Sequence, residues 1–215
     1  MRAPLLIYIR KAFYYRKKIM QIVIVAFFSV ESIYAATSND AKDYVAEIEE
    51  YLNNLKTFES DFVQRDRSGR CSTGHFFLKR PFLMKMTHGN PPNLVVIARG
   101  KKIVYYDREL KEKTETTIYS SPLSFFLEPR IELRKNVKVL FVRDDGDAVS
   151  IKFCRQNAED DGTVMLLFSK KPITLRRWVI SSNGDDSLSG VSTEISLFNW
   201  KSGHSIPNEE FQKFH

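Results

Sequence analysis

From residue 57 to residue 200 the apolar residues of this chain recur at every second position, in short runs broken by turn-forming residues. The runs read "TFESDFVQR", "HFFLKR", "FLMKM", "NLVVIARGKKIVYYDREL", "VKVLFVRD", "DAVSIKFCR", "TVMLLF", "ITLRRWVIS" and "GVSTEISLFNW". Side chains of a strand alternate between two faces, so each run presents one apolar face that must be buried. The separators "DRSGRCSTG", "DDGD", "AEDDG", "KKP" and "SNGDD" carry the Asp, Asn, Gly and Pro that set up tight turns. In "NLVVIARGKKIVYYDREL" two strands meet around Arg99 and Gly100, where glycine permits a positive φ. Strands joined by hairpin-length turns make one large antiparallel sheet, and a sheet of this size curls. The expected fold is mainly β: an incomplete, half-closed antiparallel barrel.

Two segments depart from period two and are expected to cover the apolar face. "SNDAKDYVAEIEEYLNNL" places Ala41, Tyr44, Val45, Ile48, Leu52 and Leu55 at three- and four-residue steps, an amphipathic helix with Ser38 or Asn39 as its cap. "SSPLSFFLEP" is too short and too Pro-bounded for a strand pair. Its Leu123, Phe126 and Leu127 fall at helical spacing, so it reads as a short helical lid.

The first 35 residues follow another logic. A basic stretch "MRAPLLIYIRKAFYYRKK" leads into the apolar run "IMQIVIVAFFSV" and then "ESIYAATS", the order of a cleaved secretory signal peptide. A membrane anchor is the competing reading, but the apolar run is well short of the roughly 20 residues a spanning helix needs. Cleavage after Ala35 changes the charge argument: the whole chain carries +7, whereas the remainder carries 27 basic and 25 acidic residues. Basicity therefore belongs to targeting, which removes the case for nucleic acid as a partner. Residues 36–215 are expected to form a single domain in an oxidising compartment, the bacterial periplasm. Cys71 and Cys154 are either one disulfide or two separate thiols.

No reactive constellation stands out. The chain has no G-x-S-x-G, H-E-x-x-H, P-loop or G-x-G-x-x-G pattern. His75, His88, His204 and His215 read as surface residues, no Cys or His sits at metal-ligand spacing, and the acidic turns lack the alternating ligands of a calcium loop. Neither catalysis, a metal nor a cofactor is expected. What remains is an excess of apolar residues on one side of a curved sheet, which suggests a container. Burying a long acyl chain gains on the order of 10 kcal/mol at about 0.8 kcal/mol per methylene, and that requires a dry cleft. Parity puts Phe58 and Phe62 on its wall, followed by Phe76, Leu78, Phe82, Met84 and Met86, with Arg80 as the one charged residue in that series. Methionines suit a wall that must fit flexible chains.

In order and spacing, "LKTFESDFVQ", "GHFFLKRPFLMKM", the 93–110 hairpin, "SPLSFFL" and the tail from "LRRWVISS" to "NEEFQ" resemble the LolA family of periplasmic outer-membrane lipoprotein carriers. The resemblance implies a half-barrel closed by a helical lid. Its cleft would take lipoprotein acyl chains, to be received from an ATP-driven inner-membrane transporter and passed to an outer-membrane acceptor. It implies a monomeric carrier with acylated lipoproteins as cargo. The same resemblance puts Leu52 on the first helix, Leu123 and Phe126 on the lid, and Met84 and Met86 on the cleft wall.

It also implies that Arg80 is a lid latch, donating hydrogen bonds to lid groups until ligand enters. A guanidinium presents five donors in a rigid fork and has no accessible neutral form, so carbonyls suit it better than they suit lysine. The alternative is an arginine at the edge whose head reaches water, since Pro81 interrupts the strand just after it. Departures from the family are the short C-terminus, the methionines where aromatics are frequent, and Arg99 in place of an acidic turn residue. An envelope sensor that binds lipoproteins without ferrying them would use the same half-barrel.

Overall fold

The first element begins where a side chain can satisfy its free amides. In the computed structural model, which describes residues 43–89, 93–120, 122–156, 162–182, 191–212 and 214, helix α1 spans Tyr44–Asn54. Its cap is Asp43, whose carboxylate accepts from the Ala46 amide at 3.2 Å; the expected caps Ser38 and Asn39 lie outside the described residues. Ile48 and Leu52 form its buried stripe, and Leu55 turns to extended backbone to end it.

The strands are β1 (Thr57–Asp66), β2 (Cys71–Lys79), β3 (Leu83–His88), β4 (Leu94–Arg99), β5 (Lys102–Asp107), β6 (Glu112–Thr117), β7 (Val137–Asp144), β8 (Ala148–Arg155), β9 (Thr163–Lys170), β10 (Ile173–Ser182) and β11 (Val191–Ser202). They form one sheet in the order β6-β5-β4-β3-β2-β1-β11-β10-β9-β8-β7. All pairings are antiparallel, and the chain's first and last strands meet at its centre. β6 and β7 do not pair, so the sheet stays open. Irregularities at Glu59/Asp61, Val139/Phe141 and Leu175/Arg177 add local bends. Gly100 adopts φ +61° in the β4–β5 turn, as the sequence requires.

β6 is the one strand the sequence does not announce. "EKTETT" has no apolar alternation because it is an exposed edge, where charge discourages pairing with another chain. The cover segment is a 3-10 turn at Pro122–Leu127, followed by the four-residue helix α2 (Leu133–Asn136). Asn53 ties α1 to the flank of this cover: its side chain donates to the Ile131 carbonyl at 2.8 Å and accepts from the Ile131 amide at 2.9 Å. Glu49 likewise accepts from the Leu133 amide at 2.7 Å.

The core fills the space between α1, the cover and one face of the sheet. It holds Phe58, Phe62, Phe76, Leu78, Met84 and Met86 from β1–β3, and Val149, Ile151, Phe153, Leu166, Phe168 and Trp178 from β8–β10. A second buried layer lies on the opposite face of β3 and β4. Here Val95, Ile97 and Lys85 are covered by Ile206 and by the 3-10 turn Asn208–Phe211, with Lys85 Nζ 2.6 Å from Glu210. Lys79 Nζ holds the start of this tail by donating to the Ile206 carbonyl at 2.8 Å.

Gly74 stands opposite Phe62, and a Cβ there would lie 2.0 Å from the Thr87 carbonyl oxygen and 2.5 Å from the Phe62 ring. Gly74→Ala is expected to destabilise the fold by about 1–3 kcal/mol through overpacking. Urea unfolding of the two proteins measures it.

Candidate functional site

Strand pairing brings most of the expected wall residues together. Phe62 lies across from Gly74, Phe58 from Leu78, Leu78 from Met84, and Phe76 from Met86, so all six apolar side chains share one face of the sheet. Leu52 descends onto this face from α1 and Phe126 from the cover, each buried. Leu123 lies in the cover turn, and its side chain is outside the described residues. Trp178, which parity arguments on the first three strands could not reach, is the hub: its ring centroid is 5.3 Å from Phe76 and 6.0 Å from Phe126. Its indole N–H is buried and has no acceptor among the described residues.

Phe82 departs from the expected wall. Residues 80–82 form the β2–β3 turn rather than continuing a strand, so parity does not extend through them. Phe82 sits at φ +68°, half-buried and outside the core cluster. Its amide donates to the Leu127 carbonyl at 3.0 Å and its carbonyl accepts from Gly100 at 3.1 Å. The residue thus fastens the turn to the cover.

Arg80, in the same turn, is only 8% exposed. Nη1 donates to the carbonyl of Leu52 at the end of α1, and Nη2 donates to the carbonyl of Glu128 just beyond the cover turn at 2.6 Å. Its amide donates to the Lys56 carbonyl at 2.8 Å, while Nε has no partner among the described residues. Burial pushes the guanidinium pKa below its ordinary value. Two elements of the cover are therefore held by one side chain, through carbonyls alone.

Beside this packed region lies a cavity of about 520 Å³. It is walled by Phe125, Leu133, Val137, Phe153 and Val164, with Glu128, Arg130 and Arg155 among its polar lining. This cavity thus lies toward the β7–β9 side, next to the wall of β1–β3. The cover divides the two: Phe125 meets Phe153 at 5.0 Å on the cavity side, while Phe126 faces Trp178.

The histidines are less scattered than their sequence positions suggest. On the outer face of β1 and β2, His75 stands 2.8 Å from Asp61 and 3.1 Å from Glu59, and Glu59 reaches His204 at 2.9 Å. Asn199, and then His75, hold the Asp61 carboxyl below the usual carboxylate range. No group of three or more His, Cys, Asp or Glu residues able to hold a metal occurs among the described residues. Cys71 is exposed, Cys154 is buried, and both are free thiols. His88 corrects the surface reading: it packs edge-on against Phe62 at 5.0 Å, and burial pushes its pKa down to about 4.

The family model described as "Outer membrane lipoprotein carrier protein LolA" matches residues 53–214. An outer-membrane lipoprotein carrier protein of Methylococcus capsulatus is 23% identical over 175 residues, 77% of this chain and 80% of that protein. An uncharacterised protein of Rickettsia prowazekii is 23% identical over 143 residues, 66% of each chain, so the chain spans a little under two thirds of that relative. A crystal structure of a LolA superfamily protein from Nitrosomonas europaea aligns with TM-score 0.44 and 10% identity, covering 78% of this chain and 97% of that one. No helix among the described residues is long and apolar enough to cross a membrane.

His88 gives the site a pH signature. Its folded pKa lies below the unfolded 6.5, so the unfolded chain binds the extra proton and acid favours unfolding. Stability from neutral His88 is present above pH 6.5 and is lost as pH falls toward 4, by at most about 3 kcal/mol. In urea unfolding across that window, the stability of the wild type relative to His88→Gln should fall as the pH is lowered.

Proposed function

Because this chain belongs to the LolA family of outer membrane lipoprotein carrier proteins, we propose that it ferries acylated lipoproteins through the periplasm. Their acyl chains would lie between the sheet and its cover. In this reading residues 1–35 are the signal peptide that takes the chain there, and the mature protein acts as a monomeric carrier without enzymatic activity. An ATP-driven inner-membrane transporter loads it, and an outer-membrane acceptor unloads it.

The observation that supports this best is the buried Arg80 with its two carbonyl partners on α1 and beyond the cover. A hydrogen bond to a charged group contributes about 1.5–3 kcal/mol, so releasing the Glu128 carbonyl costs a few kcal/mol at most. An acyl chain gains on the order of 10 kcal/mol by leaving water. The ligand term exceeds the latch term, which allows occupancy to open the cover while leaving it shut otherwise. The wall then consists of Leu52, Phe58, Phe62, Phe76, Leu78, Met84, Met86 and Phe126, joined by Trp178. Leu123 is assigned to the lid and Phe82 to the turn that fastens it.

The test is to incubate the mature protein with inner-membrane vesicles bearing a labelled lipoprotein, its transporter and ATP. A soluble one-to-one complex is expected; label that never leaves the vesicles overturns the reading. Arg80→Leu should accept cargo but hand it to the acceptor about ten-fold or more slowly, because re-closure no longer helps expel it. Arg80→Lys should lie between, since a single ammonium cannot span both carbonyls.

A further inference from the structure

We infer that the cavity on the β7–β9 side is a separate subsite that takes the first acyl chain and, when filled, loosens the Arg80 latch through Glu128. This inference rests on the carrier reading above. Three observations support it. First, the expected wall residues around Trp178 are packed against one another and against Phe126, whereas the cavity of about 520 Å³ is walled by a different set. Its size lies within the roughly 300–1,000 Å³ of small-ligand sites, so one chain needs no prior opening of the packed side.

Second, the cover carries adjacent rings into the two compartments. Phe125 lines the cavity and Phe126 plugs the packed side, with their centroids 4.2 Å apart. A chain that displaces Phe125 from Phe153 therefore presses on the plug. Third, Glu128 lines the cavity and its carbonyl is the cover-side acceptor of Arg80 at 2.6 Å. The Leu127 carbonyl before it accepts from Phe82 at 3.0 Å. Filling the cavity thus acts on the backbone that the latch holds. The first chain binds against an intact cover, and later chains bind one already loosened, which is positive cooperativity within one cargo molecule.

The Phe82 amide reports on the cover directly, because its hydrogen bond to Leu127 protects it from exchange only while the cover is seated. Two probes are used with the mature protein: a fluorescent long-chain fatty acid, which supplies a single chain, and a synthetic triacylated lipopeptide. Binding is followed by fluorescence titration, with the lipopeptide competing for the fatty acid and also titrated directly by calorimetry, and the Phe82 amide by hydrogen exchange in NMR. The fatty acid is expected to bind and to speed Phe82 exchange by about ten-fold or more. Val137→Trp fills the cavity from β7 and Ser124→Phe from the cover. Either should weaken fatty-acid binding by about ten-fold or more while Phe82 keeps its wild-type protection.

Arg80→Leu should raise Phe82 exchange without any ligand. Fatty acid that binds both filled variants as tightly as wild type overturns the inference. So does binding that leaves Phe82 exchange unchanged. If only the lipopeptide binds, the subsite is wrong and the carrier reading stands. If neither amphiphile binds, the carrier reading falls and the inference with it.

Discussion

An antiparallel sheet that curls without closing has a concave apolar face that must be kept from water, and most of this structure answers that requirement. α1 and the 122–127 cover bury it on the inside. A closed barrel would have filled the same space with strands on every side and left nothing to lift. Here the cover is a short 3-10 turn whose polar attachments are few and identifiable.

Arg80 shows why the attachment takes this form. A guanidinium at 8% exposure without acceptors would cost several kcal/mol, so the site has to supply them. It supplies carbonyls rather than a carboxylate. A carboxylate partner would make a tight buried ion pair, and breaking it would strand two charges. Carbonyls at a helix end and beyond a 3-10 turn are dipoles that water satisfies readily once exposed. The arrangement is strong enough to select one position of the cover, and on the proposed carrier reading weak enough to yield to an acyl chain.

The strand pattern was legible because each central strand buries one face, and parity carried the inward positions of β1–β3 correctly across the pairings. It failed at Phe82, where a three-residue turn with a positive φ interrupts the alternation, which resumes in phase at Met84. It failed at β6, where an edge strand carries charge in place of an apolar face. Val95, Ile97 and Lys85 were hidden for a different reason: β3 and β4 are buried on both faces, and the tail that covers their backs is distant in sequence. The His75–Glu59–His204 network is likewise assembled from three separate segments, and no local spacing announces it. Asp43 as the helix cap, in contrast, satisfies an ordinary capping rule at a neighbouring position.

Which part of the molecule gives way follows from where its polar ties lie. Behind the wall, Lys79 and Lys85 fix β2 and β3 to the C-terminal tail, and Arg108 donates to the Phe214 carbonyl at 2.8 Å, so the sheet is braced from outside. In front, the cover is anchored at both flanks, by Ile118 on the Lys101 carbonyl and by Ile131 on Asn53. Between those anchors, the bonds from Arg80 and Phe82 come from one turn. Lifting the cover breaks the bonds to Glu128 and Leu127 but leaves the one to Leu52, which belongs to α1. Arg80 would then stay held by the helix with its second donor exposed, aimed at the place the cover must return to.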